Sequence, residues 1–236
     1  MIRLLGASCL LVVSNIDLKI NSRVMKPKEF LKSSIKEDLI INVNNDYRYM
    51  KTGYYVSLHA EVLGCKVIPS TEDILDAYRT PIMLLRASRA GIPTAQSLLA
   101  GTVKQIISEL DFPVVVFPVN PFSLGTFRVA YNRSALYRAV KSLSMNYRYT
   151  VCVQPLFGNI GCFKSLFGVC PSKNEQILKI SRLVYEEFKL PVCNLVIQIS
   201  DDKASLCSII PLKEDELAPE DLMSISSEIS RILEET

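Results

Sequence analysis

Residues 112–125, FPVVVFPVNPFSLG, have the residue types of a phosphate-binding strand and loop. A β-branched run leads into a loop ending in Ser-Leu-Gly, and backbone amides and a serine hydroxyl can bind phosphate oxygens. A phosphate site also needs positive charge, and this segment contains no lysine or arginine. The segment is therefore a candidate nucleotide lid without its cation.

A second candidate group lies where basic and aromatic side chains are densest. Arg48, Lys51 and Tyr55 have the side-chain types that recognise a carboxylate or an acidic peptide. Tyr54 and Leu58 follow at helical spacing, which favours packing as the role of the aromatic residues. Both interpretations stay open, a ligand-binding group or a packed helix.

Nucleophilic and metal chemistry find little support in the residue types. His59 is the only histidine, and the seven cysteines are scattered without a Cys-x-x-Cys pair. A lone histidine makes neither a metal site nor a catalytic triad. Cys162 and Cys193 lie in apolar runs, where we expect buried, inert thiols. We therefore predict no catalytic residue and no metal ligand.

Composition sets the class of protein. The chain has 236 residues, 49% of them hydrophobic and 22% charged, which predicts one or two compact domains. The 27 basic and 24 acidic residues nearly balance, so the net charge of +3 does not indicate a nucleic-acid or membrane partner. No apolar run approaches the ~20 residues of a membrane span, and we interpret the apolar N-terminal run as a strand rather than a signal peptide. Scattered cysteines predict a reduced, cytoplasmic protein.

Strand and helix patterns alternate, which predicts an α/β fold with α+β layering. Strands are predicted at 8–14, 38–44, 65–70, 113–118, 126–131, 149–157, 162–169, 193–200 and 204–210. Helices are predicted at 25–31, 53–63, 81–90, 101–111, 133–143, 173–189 and from Pro219. A turn-rich stretch from Pro69 to Thr80 is the predicted domain boundary.

Two stretches of the chain resemble RimK-like ATP-grasp proteins. NNDYRYMKTGYYVSLHAEVLGCKVIPS, residues 44–70, is similar to the signature of the domain that precedes some RimK-like modules. LLRASRAGIPTAQSLL, followed by FPVVVFPVN, resembles the helix, turn and lid strand of an ATP-grasp domain. The resemblance implies a small N-terminal α/β domain over 1–75 and a shortened, two-lobed ATP-grasp domain over 76–236. The lid lobe would span about 95–152 and the C-terminal lobe about 153–236.

The resemblance implies a ligase that uses ATP and magnesium to join a carboxylate to an amine through an acyl phosphate. The family motif Val-Val-Lys-Pro corresponds here to Val115-Val116-Phe117-Pro118, so a phenyl ring replaces the lysine expected over the phosphates. By resemblance, the residues left for a nucleotide are Ser123 and Gly125 in the lid loop, Gln154, Leu156 and Phe157 at the adenine hinge, and Lys164.

The resemblance also places metal-binding carboxylates on the last two strands, near Val196, Ser208 and Ile210. No carboxylate stands at these positions, and Asp201 and Asp202 lie in the intervening turn, where a solvated hairpin is typical. A triphosphate without compensating cations loses most of its affinity because each buried charge stays unpaired.

We therefore predict a degenerate ATP-grasp protein, a non-catalytic binding or regulatory homologue without a firm cofactor. Its predicted partner is a paralogous ligase or another protein, with neither nucleic acid nor a membrane, and self-association stays open. One alternative is an active carboxylate–amine ligase that binds ATP and magnesium with ligands such as Lys164 or Asp201. A second alternative is a peptide or acidic-ligand module at Arg48, Lys51 and Tyr55.

Overall fold

The structure, a computed structural model, describes residues 10–20, 22–120, 122, 125–200 and 203–235. Within them the strands are β1 (Leu10–Ser14), β2 (Val24–Met25), β3 (Leu39–Val43), β4 (Lys66–Ile68), β5 (Leu98–Ala100), β6 (Val114–Pro118), β7 (Arg128–Ala130), β8 (Val151–Pro155), β9 (Asn159–Leu166), β10 (Val192–Ser200) and β11 (Lys203–Ile210). The helices are α1 (Pro27–Phe30), α2 (Thr52–Val62), α3 (Thr71–Ala77), α4 (Thr80–Arg89), α5 (Val103–Glu109), α6 (Arg133–Leu143), α7 (Glu175–Phe188) and α8 (Pro219–Glu235). A 3-10 helix spans Glu214–Glu216. Parallel and antiparallel sheets occur together, which confirms the predicted α/β class.

The N-terminal sheet is parallel throughout, with strand order β2-β1-β3-β4. Its central strands are nearly continuous runs of Leu, Ile and Val because both faces of a parallel sheet are buried. Phe30 of α1 and Val56 of α2 pack on one face. Ile225 and Ile229 of α8 pack on the other, so the C-terminal helix covers the first sheet of the chain.

The middle sheet, called the lid sheet below, is antiparallel with order β5-β8-β6-β7. Side chains along β6 alternate between two clusters because successive strand residues point to opposite faces. Val114 and Val116 pack with α5 and α6 on the outer face. Val115 and Phe117 point inward, into the cluster that the lid sheet shares with the C-terminal sheet.

The C-terminal sheet is antiparallel with order β11-β10-β9, so β10 is its central strand. Residues 192–198 of β10 are all buried. Helices α4 and α7 contribute Met83, Ile177 and Val184 to the same apolar cluster. In the described part of the chain, no helix has both the length and the apolar composition to cross a membrane.

The stretch from Pro69 to Thr80, predicted to be turn-rich, contains helix α3. This prediction was wrong because the Ser70 hydroxyl caps the helix by accepting a hydrogen bond from the Asp73 N–H at 3.1 Å. Glu72 and Asp73 add negative charge at the positive helix N-terminus. The short strand β5 was also not predicted, since three residues show no alternation. The position of the domain boundary stays a prediction.

The two cysteines that we expected in the core differ in exposure. Cys193 is fully buried on β10, and burial raises the pKa of its thiol to about 12. Cys162 is exposed, so its predicted burial was wrong. Cys162 lies on β9, which also carries the buried Ser165 and Leu166, and an apolar run does not show which of its residues the neighbouring elements cover.

Candidate functional site

A cavity of about 220 Å³, called the lid cavity below, lies where three parts of the fold meet. These are the junction of α3 and α4, the end of β6 with the loop after it, and the end of β11. Much of the lining is apolar and includes Ile74, Leu75, Val119, Phe122 and Ile210. A concave, mainly apolar cavity with a few polar groups is the usual form of a small-molecule site.

Two arginines line the lid cavity, and none of the described lining residues is acidic. The Asp46 carboxylate accepts hydrogen bonds from Arg48 Nε at 3.0 Å and Nη2 at 2.7 Å, which raises the pKa of Arg48. Arg79 is exposed and forms no ion pair within the described part of the chain. The cavity therefore holds one compensated and one uncompensated positive charge, which favours an anion.

Hydroxyl groups also line the lid cavity, and three of them are shielded from solvent. The buried hydroxyls of Thr80 and Ser208 lie 3.0 Å apart and bond to each other. The Tyr78 hydroxyl is shielded from solvent and has no hydrogen-bond partner among the described residues. Burial raises the pKa of Tyr78 well above its ordinary value, so the group keeps its proton and can donate.

The space between the inner face of the lid sheet and strands β10 and β11, called the sheet interface below, is filled. Phe117 is fully buried there and packs against Phe127, with ring centroids 5.7 Å apart. Its apolar cluster includes Cys152 of β8, Val196 of β10 and Cys207 of β11. The ring that replaces the expected lysine therefore belongs to the hydrophobic core.

Gln198 of β10 reaches across the sheet interface to the end of β8. Its Oε1 accepts a hydrogen bond from the Phe157 N–H at 2.7 Å, and its Nε2 donates to the Pro155 carbonyl at 3.1 Å. The side chain is 4% exposed. A neighbouring donor and acceptor is also what an adenine edge presents. The Gln198 side chain thus already forms hydrogen bonds with backbone groups in the segment that the resemblance assigns to adenine binding.

Comparison with known proteins identifies the family. The family model of the RimK-like ATP-grasp N-terminal domain matches residues 27–227, which include strands of all three sheets. The chain belongs to this family. The match confirms the resemblance found in the sequence. Among curated protein sequences, none matches this RimK-like chain.

Solved structures share the fold of this RimK-like protein. The RimK-domain ATP-grasp protein from Sphaerobacter thermophilus aligns over 92% of this chain and 98% of its own, with 9% identity and a TM-score of 0.65. D-alanine–D-alanine ligase from Bacillus anthracis, complexed with ATP, aligns over 97% and 96%, with 13% identity and a TM-score of 0.62. The ATP-grasp ligase PsnB, complexed with a precursor peptide and AMPPNP, aligns over 98% of both chains, with 10% identity and a TM-score of 0.58. Identities this low show the fold alone.

The positions that the RimK-like resemblance assigned to metal ligands lie together. Val196 and Ser208 are directly opposite on β10 and β11, so their side chains share one face. Ser208 and Ile210 line the lid cavity, whereas Val196 is fully buried. Valine and isoleucine offer no ligand atom, and no three His, Cys, Asp or Glu residues of the described ranges cluster to hold an ion. Asp201 and Asp202 lie outside the described residues.

Lys164, the cation nearest to the family's phosphate-binding position, serves another contact in this RimK-like chain. Its Nζ lies 2.5 Å from Asp221 Oδ2 and donates to the Glu216 carbonyl at 3.1 Å. Asp221 lies in the first turn of α8 and is only 8% exposed. Lys164 therefore ties β9 to the segment leading into α8, and it does not line the lid cavity.

The other predicted nucleotide residues are dispersed. Gly125 lines the lid cavity, and Ser123 lies outside the described residues. Gln154 is fully buried, with Nε2 donating to the β11 backbone at 2.9 Å and Oε1 without a partner in the described part of the chain. Leu156 packs against the core cluster, and Phe157 is 65% exposed. The last three do not line the cavity.

The predicted acidic-ligand group separates into two parts. Arg48 lines the lid cavity, whereas Lys51 and Tyr55 do not. Tyr55 is exposed and its ring contacts that of Tyr54 edge-on, with centroids 5.8 Å apart. Packing therefore accounts for part of the aromatic group, and Arg48 alone joins the candidate site.

Three residues of this geometry were missed by the sequence analysis. Tyr78 and Arg79 follow α3, a helix hidden by the prediction of turns, and its cap at Ser70 was the available signal. Gln198 is an amide within the apolar strand NLVIQIS. A buried polar residue needs a hydrogen-bond partner, but the sequence does not identify which backbone groups provide it.

Proposed function

We propose that the chain is a non-catalytic ATP-grasp protein that binds a ligand in the lid cavity and joins no carboxylate to an amine. The observation that carries the proposal is the Gln198 amide, bonded to the Phe157 N–H and the Pro155 carbonyl. A nucleotide base needs to displace this buried amide before it reaches the same backbone groups. Displacement leaves the amide without partners, which disfavours nucleotide binding.

The phosphate side of the same space supports the proposal. Phe117 is buried against Phe127 at the position of the family's lid lysine. A phenyl ring cannot compensate phosphate charge, and nothing acidic stands at Val196, Ser208 or Ile210 to hold magnesium. Both requirements of phosphoryl transfer, cations and a metal site, are therefore unmet by these side chains.

The active-ligase alternative depends on ligands from elsewhere in the chain, and Lys164 was its first candidate. Its ion pair with Asp221 at 2.5 Å already compensates its charge. The alternative predicts that Lys164→Ala abolishes nucleotide binding. We expect Lys164→Ala instead to loosen the contact between β9 and α8.

The lid cavity favours a particular class of ligand, a carboxylate that carries an apolar group. Arg79 offers an uncompensated charge, Tyr78 an unused donor, and Ile74 and Val119 an apolar wall. This is the acidic-ligand alternative centred on Arg48 and Arg79 rather than on Lys51 and Tyr55. Regulation of a paralogous ligase remains part of the proposal, with the bound ligand as its signal.

The test is a calorimetric titration of ATP into the full chain, with and without magnesium, beside an assay of phosphate release with amino-acid acceptors. The D-alanine–D-alanine ligase from Bacillus anthracis serves as positive control. We expect no heat and no phosphate release. Magnesium-dependent binding with acceptor-dependent release would overturn the proposal. ATP binding without phosphate release would contradict only the inference that the Gln198 amide blocks the site of the nucleotide base.

A further inference from the structure

The outer surface of the lid sheet carries a positive charge that the composition of the whole chain conceals. Residues 112–174 contain seven Lys and Arg residues and no Asp or Glu. Five of these cations lie on or beside β7 and α6: Arg128, Arg133, Arg138, Lys141 and Arg148. All five are exposed, and none forms an ion pair with any described residue. Unpaired exposed cations also occur elsewhere in the described chain, so what distinguishes this segment is the absence of any acidic residue from 112 to 174.

Exposed tyrosines alternate with these cations. Tyr131, Tyr137, Tyr147 and Tyr149 lie in the same segment and are between 40% and 69% exposed. The five cations and four tyrosines together are called the lid surface below. Large rings exposed in this number indicate a binding surface rather than a solvated helix face.

The local structure brings several residues of the lid surface together around α6. Arg133, Tyr137 and Lys141 follow one another at intervals of four residues along α6 and therefore share a face. Arg138 lies beside this stripe and, with Arg128 of β7, lines a groove of about 350 Å³. The cations thus flank the aromatic ring of Tyr137.

The turn after α6 brings a second ring to the first. Met145, Asn146 and Tyr147 all have positive φ, at 53°, 61° and 64°, which is unusual for consecutive residues with side chains. The Tyr147 N–H donates to Ser144 Oγ at 2.7 Å, and the Tyr147 hydroxyl lies 3.5 Å from the Tyr137 carbonyl. The chain therefore folds back so that Tyr147 lies beside α6.

We propose that the lid surface binds single-stranded nucleic acid. The unpaired cations contact phosphates, and the exposed tyrosine rings stack on bases, the two interactions that combine in sequence-tolerant single-strand binding. The stripe from Arg133 to Lys141 spans about 12 Å, a length that can follow a strand of a few nucleotides. This inference is independent of the lid cavity, and it departs from the expectation based on the net charge of the whole chain.

Other partners fit the lid surface less well. Membrane-surface helices bury an apolar face in the lipid, whereas the apolar face of α6, with Leu136, Val140 and Leu143, is already buried against the lid sheet. An acidic protein segment would compensate the cations but has no flat bases for four rings to stack on. Both partners become controls of the experiment.

The experiment measures fluorescence anisotropy of a labelled oligothymidylate of about 20 nucleotides with the full chain over a range of salt concentrations. We expect binding that weakens with salt. The triple variant Arg133→Ala, Arg138→Ala, Lys141→Ala should lower the salt slope by about 2, because each lost phosphate contact removes about 0.7 for single strands. The matched variant Lys28→Ala, Lys32→Ala, Lys36→Ala changes the net charge equally and should leave binding unchanged.

Stacking is tested separately from charge. Tyr137→Ala with Tyr147→Ala should weaken binding at least about fivefold at an unchanged salt slope, whereas the pair of Phe substitutions should retain binding. Thermal melts check that all variants fold. Absence of binding at low salt would overturn the proposal. Equal binding of polyglutamate or phosphatidylserine vesicles, with no effect of the tyrosine substitutions, would overturn it in favour of those partners.

Discussion

The sheet interface and the lid cavity are neighbouring spaces of one fold, but the first is filled and the second is open. They meet on β6, where Phe117 belongs to the interface and Pro118 lines the cavity. The interface contains apolar side chains and the amide of Gln198. The cavity keeps Arg79 and the unpartnered hydroxyl of Tyr78. Inward-facing side chains alone therefore decide which of two neighbouring spaces in this fold is filled and which is open.

The difference also has an energetic basis. In the sheet interface, the Gln198 amide and Gln154 Nε2 are hydrogen-bonded within the protein, whereas the buried Gln154 Oε1 has no partner among the described residues. The space is filled by side chains, so a polar ligand gains little there. In the lid cavity, the exposed Arg79 has no ion-pair partner among the described residues, and the shielded Tyr78 hydroxyl has no hydrogen-bond partner among them. An open cavity that retains such groups can gain binding free energy from a polar ligand, in addition to the apolar contacts of its wall.

Phe117→Lys tests the closed state of the sheet interface and has the largest expected effect. It removes a fully buried ring and introduces a charge into an apolar cluster. We expect the free energy of unfolding to fall by about 4 kcal/mol or more, measured by urea denaturation. Restoring the family lysine should therefore not restore ATP binding.

The matched control for this substitution is Phe122→Lys. Phe122 lines the lid cavity and is 50% exposed, so its replacement should change stability by no more than about 0.5 kcal/mol. A small effect of Phe117→Lys together with a gain of magnesium-dependent ATP binding would contradict the closed interface.

Gln198→Ala tests the hydrogen bonds across the sheet interface. The substitution leaves the Phe157 N–H and the Pro155 carbonyl without the amide that now bonds them. We expect a loss of about 2 kcal/mol in the free energy of unfolding, from thermal and urea melts. Gln96→Ala, which removes an exposed amide, should have almost no effect. An equal effect of both variants would show that the interface bonds contribute nothing specific.

The fold was largely predictable from the sequence, and the site only in part. Long buried strands such as β6 and β10 were found because β-branched runs carry a strong signal. The sequence also identified Phe117 as a break in the family pattern. It did not show that Gln198 reaches β8, because that contact joins residues 41 positions apart. Partners across sheets depend on tertiary packing, which local patterns do not encode.

Tyr78→Phe tests the unused hydrogen-bond donor at the lid cavity. We expect it to raise the free energy of unfolding, whereas the two substitutions in the sheet interface lower it. The Tyr78 hydroxyl is buried without a described partner, so its removal should stabilise the protein by up to about 1 kcal/mol. Tyr47→Phe is the control, since that hydroxyl donates to the Asn42 carbonyl and accepts from the Asn44 N–H, both at 2.9 Å. Its removal should destabilise by about 1–2 kcal/mol. A loss of stability in Tyr78→Phe would mean that the hydroxyl has a partner.

Arg79→Ala separates ligand binding from stability and has the smallest expected effect on the fold. Arg79 is exposed and unpaired among the described residues, so the free energy of unfolding should change by less than about 0.5 kcal/mol. Binding of phenylacetate, followed by ligand-observed NMR, should be lost because the carboxylate no longer meets a free guanidinium. Arg89→Ala, an exposed arginine at the end of α4, should retain it. The neutral phenylacetamide fits the same apolar wall but carries no charge. If it bound the unchanged protein as tightly as phenylacetate does, charge would not select the ligand. The contrast between the two spaces would then rest on shape alone.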